Sequence, residues 1–146
     1  MPSQQDSEVR QRIADFSAAW SRHDGNAMGQ FFADEGSLID PWGREARGMQ
    51  EVQQFFTELH STGGKHSRNQ LTVSHIDWLK SDVCVVDCEG ELTGMTDPKG
   101  NELPPTMHHL TLTMTKQGGT WLIAAARPVI YGAGQGQPAR EYPAAG

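Results

Sequence analysis

Three polar residues with catalytic potential lie in strand-like segments that each have an apolar face. Because side chains alternate across a strand, Asp40 shares a face with Leu38, the expected core residue of the segment 37–40. In the segment 106–116 the same alternation puts His108 on the apolar face and His109 on the opposite face. In the last strand-like segment, 120–131, Arg127 shares a face with Trp121 and Ile123, which are expected to point inward. We therefore expect Asp40, His108 and Arg127 to lean toward one apolar interior.

Such an interior suits an apolar ligand that carries a carbonyl oxygen. A carboxylate among aromatic side chains accepts protons more strongly than in water. An imidazole or guanidinium opposite it stabilises negative charge that develops on oxygen. A structural role stays open for each residue. Asp40 precedes Pro41 and could form an Asx-type turn, His108 could be a half-buried histidine with satisfied hydrogen bonds, and Arg127 could pair with Asp40 or Glu89.

The cysteines and histidines give no metal or nucleophile pattern. Cys84 and Cys88 are four apart in a strand-like stretch, a span of about 13 Å that no disulfide bridges. We expect two reduced, buried thiols. No pair of the six histidines has the i,i+4 helical spacing of a metal site. His75, Asp87 and His108 could form a metal site only if the fold brought them together. No metal and no cofactor are expected.

The composition is that of a globular domain with an acidic surface. The 146 residues contain 12 Lys and Arg against 18 Asp and Glu, a formal net charge of −6. This sign disfavours binding to nucleic acids and anionic membranes. No run of eighteen apolar residues occurs and the N-terminus is polar, so neither a membrane span nor a secretory signal is expected. A cytoplasmic location follows as a prediction.

Helical periodicity dominates the first sixty residues. Val9, Ile13, Phe16 and Trp20 form one stripe, which Asp6 or Ser7 could cap and which 23–25 would end. A shorter helix is predicted to include Ala27, Met28, Phe31 and Phe32, followed by a brief strand at 37–40. A third helix is predicted to begin near Gly48 and to bury Met49, Val52, Phe55, Phe56 and Leu59.

After residue 69 the repeat of apolar residues changes from about 3.6 residues, typical of helices, to 2 residues, typical of strands. Strands are predicted at 70–79, 82–96, 106–116 and 120–131, separated by hairpin-type turns at 80–82 and 117–119. Helices followed by consecutive antiparallel strands predict an α+β fold with the helices on one face of the sheet. Residues 1–131 are expected to form one domain, and 132–146 a mobile tail rich in Gly and Pro. A Gly-rich run at 132–136 has no helix after it and predicts no nucleotide site.

Several of these segments together carry a family resemblance. They are the three helices, the stretch Phe-Phe-Ala-Asp-Glu-Gly-Ser-Leu-Ile-Asp-Pro-Trp-Gly at 31–43, a Gly-Met-x-x-Val helix start, and a terminal Gly-Gly-Thr-Trp-Leu-Ile-Ala-Ala-Ala strand. From about residue 8 to 131 the chain resembles the nuclear-transport-factor-2-like superfamily, and within it the SnoaL-like and SgcJ/EcaC-type small proteins. The resemblance implies a cone-shaped fold: three N-terminal helices on a strongly curved, mostly antiparallel sheet, with a pocket between them. It also implies a homodimer through the outer face of the sheet.

A more distant similarity, to ketosteroid isomerase, bears on the site. Asp40 matches the base of that family, and its second acid falls on His108. Its oxyanion tyrosine falls on Phe16, which has no hydroxyl, and the loss of one such donor can cost about 10²–10³ in rate. The expected pocket lining is Phe16, Trp20, Trp42, Phe56 and Arg127.

These observations predict a small cofactor-free enzyme of isomerase, cyclase or dehydratase type. Asp40 would move a proton on a hydrophobic carbonyl substrate, and His108 would polarise the oxygen. The alternative is a non-catalytic dimeric module of the same fold that binds a hydrophobic ligand or assists a partner. A metal-dependent enzyme is a third hypothesis.

Overall fold

The predicted helical stripe forms the longest helix of a computed structural model that describes residues 3–132. Val9, Ile13, Phe16 and Trp20 are all buried along helix α1 (Gln4–Ser21). The cap differs from the predicted Asp6 or Ser7, because the side chain of Ser3 accepts the backbone N–H of Asp6. The remaining elements are helices α2 (Gly25–Gly29) and α3 (Met49–Ser61) and strands β1 (Phe32–Ile39), β2 (Glu45–Arg47), β3 (Arg68–Lys80), β4 (Val83–Thr93), β5 (Thr106–Gln117) and β6 (Thr120–Gly132).

The second helix is shorter than its apolar residues predict. Helix α2 ends at Gly29, and Phe32 already belongs to β1. The reason is long-range pairing, since the carbonyl of Phe31 accepts the N–H of Ile123 and Phe32 pairs with Ile123 in β6. Strand β2 was not predicted at all. Its three residues pair with the end of β1, where Ala46 lies opposite Leu38.

Six strands form one curved, open sheet in the order β2-β1-β6-β5-β4-β3, and the three helices pack against it. Every neighbouring pair is antiparallel except β1 and β6, which run parallel. The predicted α+β class is confirmed. Of the expected tail 132–146, only Gly132 belongs to the described residues, where it ends β6.

A register shift in β6 reverses the predicted faces of its second half. Thr113 pairs with Ala125 whereas Met114 pairs with Ile123, so one residue of β6 is extra at this point. Ala126 is buried beyond the bulge, although alternation from Trp121 predicted Ala125, Arg127 and Val129 on the inner face. That part of the prediction is wrong, because a shift by one residue exchanges the two faces of a strand.

The core lies between the helices and the concave side of the sheet. Cys84 and Cys88 are free and fully buried in it. His75 is exposed and paired with Asp77, whereas His108 is buried, so the sheet separates the histidines of the hypothetical metal set. Among residues 3–132 no cluster of three or more His, Cys, Asp or Glu could hold a metal ion. No helix in this range has the length and apolar character needed to cross a membrane.

Candidate functional site

A cavity of about 410 Å³ opens between the helices and the sheet. Its wall is almost entirely apolar. The apolar lining residues are Phe16, Trp20, Phe32, Leu38, Pro41, Trp42, Phe55, Phe56, Leu59, Leu92, Met95, Leu110, Leu112, Ala126, Pro128 and Ile130. A volume in this range, with so few polar groups, is typical of a site for a small organic molecule.

Three of the predicted lining residues form an aromatic wall. Phe56 of α3 makes edge-to-face contacts with Phe16 and Trp20 of α1, with ring centroids 6.0 and 5.8 Å apart. The indole N–H of Trp20 donates to the hydroxyl of Ser67 at 2.8 Å. The hydrogen-bonding capacity of Trp20 is thus used within the protein, and these rings offer a ligand only apolar surface.

The buried polar side chains of the cavity are Thr106 and a hydrogen-bonded pair, His108 and Asn69. His108 Nε2 lies 2.7 Å from Asn69 Oδ1, and each residue is only 5% exposed. An amide oxygen can only accept, so Nε2 carries the proton and donates it to this bond. Burial lowers the pKa of His108, and the imidazole is therefore neutral near pH 7.

The position of His108 depends on a glycine in the neighbouring strand. Gly90 of β4 pairs with His108, and a Cβ at residue 90 would lie 2.2 Å from His108 Nε2. Any other residue at 90 would force the ring to move. The predicted inward direction of His108 is confirmed, and alternation found it because β5 keeps its register with β4 across this pair.

Asp40 lies at the mouth of the cavity and organises the turn between β1 and β2. Its Oδ1 accepts the backbone N–H groups of Trp42 and Arg44 at 2.9 and 2.8 Å. This is the Asx-type turn that the sequence left open for Asp40. The side chain lines the cavity and is half-buried. Within residues 3–132, Oδ2 accepts no hydrogen bond.

The other polar side chains of the mouth form an ion pair. Arg44 Nη2 lies 2.5 Å from Glu58 Oε2, and the guanidinium lies over the ring of Phe55, 5.0 Å from its centroid. Trp42 lines the same opening but is 59% exposed, so it borders the cavity rather than sealing it. Sequence analysis missed Arg44 and Glu58, because only the fold brings the turn beside α3.

Arg127 does not line the cavity, and its predicted inward direction is wrong. The bulge in β6 turns it to the outer face, where its guanidinium donates to the carbonyl and hydroxyl oxygens of Ser37 at 3.2 and 3.0 Å. Neither Asp40 nor Glu89 is its partner within the described part of the chain. Arg127 instead holds β6 against β1.

The outer face of the sheet carries a separate polar cluster around His109. Its ring nitrogens lie 2.8 Å from Glu89 Oε1 and 3.1 Å from Asp87 Oδ1. The hydrogen bond to Glu89 first, and then the one to Asp87, raises the pKa of His109. Asp87 and Glu89 therefore share the outer face of the sheet with a histidine, which lies on the opposite side of β5 from the cavity.

Asn69 is a further polar cavity residue that sequence reasoning missed. It is the second residue of β3 and shares the inner face with Leu71 and Val73. The predicted strand began at 70, two residues after the start of β3, so Asn69 was not placed on a strand. Extending the alternation of Leu71 and Val73 back by two residues would have found it.

Comparisons with known proteins agree with this architecture. Residues 9–126 match the model of the SnoaL-like domain family. No curated protein matches the chain. An uncharacterised protein with a cystatin-like fold from Caulobacter vibrioides superposes with a TM-score of 0.79 at 18% identity, over 88% of this chain and 91% of that one.

Two further solved structures resemble the chain over most of its length. A ketosteroid isomerase-like protein from Erwinia carotovora atroseptica has a TM-score of 0.76 at 17% identity, covering 88% of this chain and 97% of the other. An NTF-2 like protein of unknown function from Shewanella oneidensis has a TM-score of 0.70 at 18% identity, covering 84% of this chain and 97% of the other. These identities show the fold alone. With the match over residues 9–126, the chain belongs to the SnoaL-like domain family, within the nuclear-transport-factor-2-like fold.

Proposed function

We propose that this chain binds an apolar small molecule bearing an uncharged oxygen and transfers a proton on it, as an enzyme of isomerase, cyclase or dehydratase type. The observation that carries the proposal is the cavity of about 410 Å³, whose wall is mainly apolar, with a buried neutral pair at one end and the Asp40 carboxylate beside an ion pair at the mouth. The fold hosts several reactions, and the site has to select among them.

The apolar wall supplies binding energy without specificity. Removing apolar ligand surface from water stabilises a complex by about 25 cal/mol per Å². Ionic groups line only the mouth, where Arg44 and Glu58 are both exposed. A ligand that fills the interior is therefore uncharged over its buried part, since a charge there would be desolvated without a partner.

Asp40 is the proposed proton acceptor. The two backbone N–H groups on Oδ1 hold the carboxylate in one orientation, and Oδ2 is the atom that would take a proton from a carbon next to the ligand carbonyl. The C–H bond breaks, its electron pair moves into the enolate, and the proton taken up by Asp40 exchanges with solvent before a solvent-derived proton or deuteron is returned to the carbon. Phe16 supplies no hydroxyl to the enolate oxygen. The negative charge on that oxygen therefore has to be stabilised by the polar side chains at the inner end of the cavity.

The test uses 2-acetylnaphthalene, an apolar ketone of suitable size. Its binding is followed by calorimetry, and the exchange of its methyl protons in deuterium oxide by NMR. Wild-type protein is expected to bind it and to speed the exchange, and Asp40→Asn to lose about 10²-fold or more of the exchange rate while still binding. Glu45→Gln is the matched control, because Glu45 is an exposed carboxylate of the same hairpin that pairs with Arg47. Absence of binding would contradict the proposal.

The alternative is a non-catalytic binding module of the same fold. The role of Asp40 in its own turn favours it, since the turn alone accounts for an acidic residue there. Binding of the ketone without faster exchange would select this alternative. A homodimer through the outer sheet face, independence of cofactors and a cytoplasmic location stay predictions.

A further inference from the structure

We propose that Asn69 is the residue that recognises the ligand, its side-chain N–H group donating to an uncharged carbonyl oxygen at the inner end of the cavity. His108 is then a positioning residue that sets the orientation of the Asn69 amide. The inference rests on the proposed function, because it assigns the ligand class of that same cavity. It changes the role expected for His108, which was to polarise the oxygen itself.

The backbone at Asn69 is held from two sides. Strand β3 pairs Asn69 with Leu92 of β4, and the hydroxyl of Ser17 in α1 donates to the Asn69 carbonyl. The residue is therefore fixed to both the sheet and the long helix. Its side chain lines the cavity and is 5% exposed, so a group on this side chain meets a ligand in a geometry that needs no rearrangement.

The imidazole determines which end of the amide is available. His108 Nε2–H donates to Asn69 Oδ1 at 2.7 Å, and the oxygen end of the amide therefore faces the ring. The Nδ2 end points away from it and donates to no atom of residues 3–132. Asn69 Nδ2 is not one of the buried atoms of residues 3–132 that lack a partner, so it is accessible from the cavity, whereas His108 Nδ1 is both buried and unpaired. An unpaired N–H group on a cavity wall is an unfilled position for an acceptor.

The chemistry around this donor selects an uncharged acceptor. The amide is neutral and burial keeps the His108 imidazole neutral. The ionic residues of the lining are Asp40, Arg44 and Glu58, which belong to the mouth turn and the exposed side of α3. A carboxylate at the inner end would lack a cation, and an ammonium would meet a donor. An aromatic or alicyclic ketone, aldehyde or lactone satisfies the site when its carbonyl oxygen reaches Asn69 and the carbon next to the carbonyl faces Asp40.

The experiment compares two ligands of nearly the same shape. 2-Acetylnaphthalene carries the acceptor oxygen, and 2-isopropenylnaphthalene has a methylene group in its place. Wild-type protein is expected to bind the ketone about fivefold to tenfold more tightly, the effect of one hydrogen bond. Asn69→Leu keeps the branched shape of the side chain without its polar atoms and is expected to bind the two ligands equally.

The positioning role of His108 is tested by conservative rescue. His108→Gln keeps an N–H donor for Asn69 Oδ1 and is expected to retain the ketone preference, whereas His108→Leu releases the amide and is expected to lose it. His109→Gln is the matched control, since His109 is the next residue on the outer face, and its preference is expected to match wild type. Melting curves of all variants establish that each is folded.

Ligand binding at Asn69 can also be followed in the wild-type protein by NMR. The side-chain ¹⁵N–¹H₂ signal of Asn69, assigned by its loss in Asn69→Asp, is expected to shift with the ketone and to stay nearly unchanged with the hydrocarbon. Equal affinity of wild type for both ligands would overturn the role of Asn69 and leave the proposed function standing. If neither ligand binds, both proposals fall.

Discussion

At the scale of the residue, the chain buries two histidines in different ways. Nε2 of His108 has a hydrogen-bond partner in Asn69 and only its Nδ1 is buried without one, whereas both ring nitrogens of His60 are buried without any partner in the described range. His60 packs against Trp20, Phe56 and His23, with ring centroids 5.3, 6.3 and 5.2 Å away. Burial first, and then the neighbouring His23, lowers the pKa of His60 to about 4. The protein therefore folds with this imidazole uncharged.

Replacing His60 by leucine is expected to make the protein more stable at low pH. A lowered native pKa means that the unfolded chain binds more protons, so the free energy of unfolding of wild type falls as the pH drops from about 6.5 toward 4. His60→Leu removes that loss, about 2–3 kcal/mol over this range, and at pH 7 is neutral or stabilising because no hydrogen bond is lost. Urea unfolding at pH 4.5 and 7 measures both effects. The exposed His66 supplies the control, His66→Leu, and an equal pH dependence in His60→Leu and wild type would refute the expectation.

Asp40 is expected to contribute to stability through its turn. Asp40→Ala leaves the N–H groups of Trp42 and Arg44 without their side-chain acceptor, which is expected to cost about 1 kcal/mol in the free energy of unfolding. Asp40→Asn keeps an oxygen at the same position and is expected to stay within about 0.5 kcal/mol of wild type. Chemical denaturation of both variants checks this. Equal losses in both would show that the charge, and not the acceptor, supports the turn.

At the scale of the element, β6 is the strand in which the faces predicted from alternation differ from the faces observed in the structure. Its first residues alternate as predicted, with Trp121 and Ile123 buried. The bulge that follows moves Ala126, Pro128 and Ile130 to the cavity and Arg127 to the outer face. The same strand pairs with β1 in parallel and with β5 in antiparallel orientation. The register of β6 therefore has to satisfy two neighbouring strands that run in opposite directions, and the sequence of β6 alone does not show this requirement.

Arg127→Ala is expected to weaken the sheet and leave the cavity unaffected. The variant loses the hydrogen bonds to the carbonyl and hydroxyl oxygens of Ser37, with an expected cost of about 1 kcal/mol in the free energy of unfolding. Binding of 2-acetylnaphthalene is expected to be unchanged. A cycle with Ser37→Ala and the double variant measures the coupling between the two side chains. Loss of ketone binding in the folded Arg127 variant would restore the pocket role that the sequence predicted.

At the scale of the whole molecule, one core joins the sheet, the helices and the two thiols. Burial raises the pKa of Cys84 to about 11 and that of Cys88 to about 12, with nearby acidic groups acting in the same direction. Both side chains are completely inaccessible. They therefore report on opening of the fold as a unit and not on local motion.

Neither thiol is expected to react with a disulfide reagent while the protein is folded. The reactive form is the thiolate, and both burial and the raised pKa suppress it. Labelling with 5,5′-dithiobis(2-nitrobenzoate) is expected to proceed at the rate of global opening in buffer and to reach two equivalents at once in 6 M guanidinium. Cys84→Ala and Cys88→Ala identify each thiol. Immediate reaction of one equivalent in the native protein would show a local opening of β4.

The sequence by itself determined the α+β class, helices α1 and α3, the four long strands and the inward direction of His108. These features depend on periodicity within one segment, which side-chain geometry makes local. Tertiary structure alone decided that Phe32 begins a strand, that Arg127 faces outward and that His108 meets Asn69, 39 residues away. The physical reason is register: a strand has the same sequence in either pairing, and a slip of one residue exchanges its faces. Only the partner strands fix which side chains share the cavity.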